Sequence, residues 1–198
     1  MNPAGPNAVS ARPDRRAPGL AGFGSLWHLA LRFLGSLSPA GPRPEDTSWA
    51  EERLSERERA LFARMSGADR RHAIGVAREA LRLAERDGLS EDELPAGFLP
   101  AALLHDVGKV ESRLGTFSRV LATLLAIALG RRRLEGWQGP VGSQFARYLA
   151  HDRLGSELLA AAGSDAMTVS WARDHHLPDE RWRVEAQLAG YLKAADGD

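Results

Sequence analysis

From Asp46 onward the apolar residues recur at three- and four-residue spacings, and no stretch alternates apolar and polar residues as a half-buried strand would. A chain patterned this way buries its apolar surface only by packing helix on helix, so the expected fold class is all-α. Cap and turn residues mark the expected boundaries. A start at Thr47 or Ser48 leads into WAEERLS, and a Ser55–Glu58 capping box precedes RERALFARM. Asp69 is expected to cap a helix over about 70–86, stopped by Asp87-Gly88, with Ile74, Ala77, Leu81 and Ala84 on one face. The apolar run FLPAALLHD follows, closed at Gly108, and further helices are expected over about 116–129, 143–151, 156–162, 165–176 and 181–195. No internal repeat is present.

Ahead of this helical domain, taken as residues 46–198, the chain reads differently. Residues 1–24 are rich in Pro, Gly and Ala without a periodic apolar face, which describes a flexible arm. Residues 25–45 hold a short amphipathic helix, Ser25 to Leu37, and a Pro/Gly linker. Arg15-Arg16 before an apolar run resembles the layout of an export signal, but His28 and Arg32 interrupt the run and Pro18 weakens its start, so a cytoplasmic location is expected. No run reaches the ~18–20 uninterrupted apolar residues of a transmembrane segment.

Charge and cysteine content narrow the chemistry. The 26 basic and 26 acidic residues cancel, and the arginines lie among acids rather than with aromatics, so no nucleic-acid partner is expected. With no cysteine, thiolate nucleophiles and Cys-ligated metals are excluded, and a metal site must use His, Asp or Glu. Lysine occurs only at Lys109 and Lys193 in an otherwise arginine-based chain, which singles out both positions.

Of the six histidines, five fall in the helical domain. His72 lies early in its helix on the core side, where taken alone it reads as a core or interface histidine. His105-Asp106 ends the apolar run Ala101–Leu104, which aims the pair inward. A buried carboxylate costs several kcal/mol unless it is paired or bound to a cation, and no Arg or Lys lies immediately beside it. Imidazole with carboxylate suits a divalent ion such as Mn, Fe, Co, Ni or Zn.

The stretch AALLHDVGK, preceded by RRHAIGVA and followed by YLAHDRLGSELL, WARDHH and YLKAADGD, resembles the HD superfamily (HDIG-like) of metal-dependent phosphohydrolases over about residues 68–198. The resemblance implies an HD-domain helical bundle in which His72, His105, Asp106 and Asp196 hold a metal. In subfamilies with further histidines a second ion is held, which implies His151 and His175 as ligands and one or two divalent ions per chain, Mg included. His151 read by itself is a histidine in the last turn of a helix, favoured there by the macrodipole. Because successive helical residues point about 100° apart, His175 is the expected ligand, with His176 left to bind substrate, cap the helix, or ligate if the helix ends there. Asp106 is implied as a catalytic residue bridging two ions, and Lys109 as a catalytic and substrate-binding residue that reaches a phosphate; a solvated lysine is the alternative. Asp152, Asp174 and Glu111 read as solvated, with orientation of the histidines as the other option.

The implied activity is hydrolysis of a small phosphorylated substrate, of the nucleotide class, by a metal-activated water; the alternative is a regulatory module that binds nucleotide or metal without useful turnover. Two departures stand out. Asp196 lies two residues from the end of the sequence, where termini fray. An inserted segment, GTFSRVLATLLAIALGRRRLEGWQGP, carries a helix with Phe117, Val120, Leu121, Leu124, Leu125 and Ala128 on one face. Such a face must be covered: packing against the Trp27 helix is the expected arrangement, ahead of a homodimer interface or peripheral membrane contact.

Overall fold

The computed structural model describes residues 40–111, 147 and 150–197. The expected arm, the helix expected around Trp27 and the helix expected over 116–129 lie outside the described residues, as does the choice between their proposed partners. Among the described residues there are seven α-helices and no strand: α1 Pro44–Glu51, α2 Glu56–Arg64, α3 Gly67–Arg86, α4 Phe98–Leu104, α5 His151–Ala162, α6 Ala166–Asp174 and α7 Ala186–Asp196. The all-α expectation therefore holds. No helix among the described residues is long and apolar enough to cross a membrane.

Several boundaries differ from expectation for local reasons. Helix α1 starts at Pro44, inside the stretch read as linker, because proline in the first turn loses no hydrogen bond and its fixed φ suits a helix start. Ser66, not Asp69, caps α3: its hydroxyl accepts from the Asp69 backbone N–H, which places Asp69 in the first turn. The Ser55–Glu58 capping box forms as expected. The expected break between 151 and 156 is absent; one helix, α5, runs through it and ends at Gly163, whose φ of 76° is the left-handed cap conformation. Helix α7 begins at Ala186 under the Glu185 cap, while Asp179–Arg181 form a single 3₁₀ turn.

Helix α4 is the axis of the bundle. All seven of its residues are buried, so a helix apolar on every side must be enclosed by others. Helices α3 and α6 enclose it; α7 packs on α3, and α5 on α6. Phe62, Phe98, Leu103, Leu104, Leu159, Trp171 and Leu192 fill the space between them. At its start α4 meets the start of α6: Thr168 Oγ1 donates to the Gly97 carbonyl at 3.2 Å, and a Cβ on Gly97 would fall 2.4 Å from the Asp165 carboxylate. At their far ends the His105 and His175 rings lie 5.3 Å apart. The two helices are thus parallel, and their C-termini open onto one point.

A second close crossing completes that point. The 3₁₀ segment Val107–Glu111 crosses the first turns of α5 at paired glycines, where a Cβ on Gly108 would lie 1.9 Å from the His151 carbonyl oxygen and 2.6 Å from the Gly155 nitrogen. Only glycine permits backbones this close.

Candidate metal centre

His105 occupies the C-cap of α4, with Asp106 in the following turn. His105 Nδ1 donates to the Ala102 carbonyl at 2.8 Å; since a carbonyl only accepts, the proton is on Nδ1 and Nε2 faces the carboxylates. His175 repeats this design at the C-cap of α6, with Nδ1 against the carbonyls of Ala172 and Trp171 at 3.1 and 3.2 Å. Helix α3 brings His72, α7 brings Asp196 and α5 brings His151 to the same place.

These side chains form two groups, His72 with His105 and Asp196, and Asp106 with His151, His175 and His176; within each group one ligand atom per residue lies within 4.8 Å of the others. Asp106 joins them. Its Oδ2 is 3.4 Å from His105 Nε2, while its Oδ1 is 3.4 Å from His151 Nε2 and 3.9 Å from His175 Nε2. In the first group His72 Nε2 lies 3.0 Å and His105 Nε2 3.7 Å from Asp196 Oδ1. In the second, His151 Nε2 and His176 Nε2 are 3.2 Å apart, close enough to share one cation.

Charge in the cluster follows from burial and proximity. Burial works against a charged His105, but the Asp106 and Asp196 carboxylates outweigh it and hold its pKa up at about 9. Burial likewise opposes charge on the two acids, yet Lys109 and His105 hold Asp106, and His105 and His72 hold Asp196, well below the usual carboxylate range. His175 is pushed the other way, well below the usual imidazole value, by burial and by His176 and His105 beside it. His176 is exposed as a residue, but its ring leans into the cluster, where desolvation and the neighbouring His151 push its pKa down to about 4.

This donor set fits divalent cations. His175 is 1% exposed, and its Nε2 is a buried lone pair with no hydrogen-bond partner. Buried polar atoms are rarely left so, and an ion is one of the few things that satisfies a neutral imidazole nitrogen surrounded by other imidazoles and a carboxylate.

All seven residues singled out as ligands or neighbours therefore converge, with three corrections. His151 is the first residue of α5, not the last turn of a helix, so the macrodipole there does not favour a protonated imidazole. His175 and His176 both reach the second group: the backbone at His175 is still helical (φ −58°, ψ −20°), yet the two rings converge to a centroid distance of 3.9 Å, so backbone separation alone does not select one of them. Asp106 does have a basic partner: Lys109, one 3₁₀ turn later, donates its ammonium to Oδ2. Lys109 is thus neither a solvated lysine nor, in this structure, directed away from the acid.

Of the acids read as solvated, Asp174 is buried and paired in bidentate fashion with Arg183 at 2.8 and 2.9 Å, also accepting the Arg183 backbone N–H. Glu111 pairs with Arg64 at 2.8 Å, and half-buried Asp152 accepts the Arg153 N–H. Sequence reasoning passed over Arg183 and the Gly108–Gly155 crossing; a glycine in the middle of HDRLGSELL was the available signal for the latter. No family model matches the chain, and no curated protein or solved structure is similar enough to match it.

Proposed function

We propose that this protein is a metal-dependent phosphohydrolase of the HD type, acting on a nucleotide or another small phosphorylated substrate. The observation that carries the reading is the double use of Asp106, one oxygen facing each group of ligands. A carboxylate so placed suits a pair of cations, with His72, His105 and Asp196 beside one and His151, His175 and His176 beside the other. Divalent ions held there would supply Lewis acidity, lowering the pKa of a water and polarising a phosphoryl oxygen.

The chain's own part is preparation. The Ala102, Trp171 and Ala172 carbonyls keep the δ-protons of His105 and His175 and so turn both Nε2 atoms inward. Low pKa values at His175 and His176 keep those rings unprotonated at neutral pH, which is the state that ligates. Lys109 at the Asp106 oxygen is placed to turn from the carboxylate to an incoming phosphate once cations neutralise the acid.

Metal content by mass spectrometry, on protein purified without chelator and beside Asp106→Ala, tests the reading when joined to a phosphate-release screen over nucleotides with added manganese. About two ions per chain, lost in the variant and accompanied by turnover, are expected. Ions without turnover would leave the regulatory-module alternative; neither ions nor turnover would end the proposal.

A further inference from the structure

We propose that Lys193 is a positioning residue for the second group of ligands. The inference rests on the metal-centre reading above and adds to it a control point outside the ligands. Lys193 lies on α7, one turn before Asp196, and is half-buried. Its ammonium donates to the backbone carbonyl of His175 at 2.9 Å. That carbonyl belongs to the peptide between His175 and His176 at the C-cap of α6, so the tie bears directly on the backbone that carries the His176 ring.

The choice of partner is informative. Lys193 lines an open surface cleft of about 660 Å³ together with Asp179 and Glu180, yet among the described residues it forms no ion pair with either. A lysine that could face carboxylates is instead spent on a neutral carbonyl at the end of α6, where a cation also complements the helix dipole. The consequence is geometric. One ammonium ties the helix carrying Asp196 to the turn carrying His175 and His176, so the two groups are joined through Lys193 as well as through Asp106. His175 itself is held by its Nδ1 bonds, so the His176 ring, borne on the next residue and 3.2 Å from His151 Nε2, is the ligand on which this tie bears.

Outer partners that orient ligands typically change metal affinity by ~10–100-fold when removed. Cobalt(II) titration of the full chain, followed by absorbance in the visible and by equilibrium dialysis, reads this directly in the wild type, Lys193→Met and Lys193→Arg. Methionine keeps the aliphatic stem and helix propensity of α7, so Asp196 should remain in place. Two cobalt equivalents are expected in the wild type. In Lys193→Met one equivalent should keep its affinity and the other weaken about tenfold or more. Lys193→Arg should restore the second equivalent, because a guanidinium still donates to the carbonyl. In a His176→Ala background, which already weakens that second equivalent, Lys193→Met should weaken it no further. Two equivalents of wild-type affinity in Lys193→Met would overturn the positioning role alone. Equal loss of both, with a lower melting temperature of the metal-free protein, would make Lys193 merely structural. No cobalt bound by the wild type would defeat the metal-centre reading and this inference with it.

Discussion

Replacing Gly108 with alanine puts the proposed architecture of the centre under its most local strain. The new Cβ would sit 1.9 Å from the His151 carbonyl oxygen and 2.6 Å from the Gly155 nitrogen, and both obstacles are backbone. Restoring ordinary contact at about 3.4 Å or more moves the 3₁₀ segment and α5 apart by at least ~1.5 Å. The movement falls between Asp106, two residues before Gly108, and His151, whose own carbonyl is struck. Metal sites tolerate only about ±0.2 Å in ligand distance, so the displacement parts Asp106 from His151 and disturbs the second group most, while His72 and Asp196 sit on α3 and α7, outside the crossing. Overpacking of this kind costs roughly 1–3 kcal/mol, or about 3–10 °C in melting temperature for a domain of this size. Gly155→Ala meets Gly108 N at 3.0 Å and should be milder; Gly75→Ala, with nothing within 4 Å on an exposed face of α3, should be neutral or stabilising by about 0.5–1 kcal/mol. Isothermal titration with manganese or cobalt, paired with calorimetric melting, checks the series. Gly108→Ala that melts like the wild type and binds two ions with unchanged affinity would refute the reasoning.

Protonation gives a second handle. The His105 pKa of about 9 lies above its unfolded value, so its stabilising contribution to the metal-free protein is complete below pH ~6.5 and is lost as pH rises through about 9, at most about 3 kcal/mol. His175 and His176 have lowered values, so they destabilise as pH falls below ~6.5, and the metal-free melting temperature should peak near there. Because cation loading must expel the His105 proton, apparent metal affinity should rise about tenfold per pH unit between 7 and 9; a flat titration would contradict the charge state. Lys109→Met removes the ammonium that competes with cations for Asp106: the metal-free protein should lose about 2 kcal/mol while metal binds roughly 30-fold tighter. Unchanged or weaker binding would argue against that competition. Arg183→Leu strips buried Asp174 of its partner and should lower stability by about 1–3 kcal/mol in urea unfolding, an effect that an unshifted midpoint would deny.

Much of this molecule is legible along the chain because the signals are local. The helical period, the Ser55–Glu58 box and the apolar run ending in His105-Asp106 depend on neighbours within about four residues, and each appears where the sequence places it. Which residues would cluster was legible only through the resemblance carried by AALLHDVGK and its flanking His and Asp positions; the absence of cysteine says only that a metal site must use His, Asp or Glu. Boundaries were less so. Ser66 and Asp69 are both plausible caps three residues apart, and only the backbone conformation at Ser66, extended at φ −63° and ψ 157°, selects one.

What the tertiary structure alone decided is which atoms meet. Helix periodicity predicts that His175 and His176 diverge, yet their rings come within 3.9 Å of one another although the backbone at His175 is still helical, a convergence that backbone period does not encode. No spacing rule reveals that Lys109 turns back on Asp106, that Lys193 reaches across to the His175 carbonyl, or that Arg183 neutralises Asp174. Composition restricts any metal site to imidazoles and carboxylates, and periodicity makes the fold all-helical. The pairing of those imidazoles and carboxylates is set by two parallel helix ends and one glycine–glycine crossing, contacts between residues far apart in sequence whose distances no local pattern encodes.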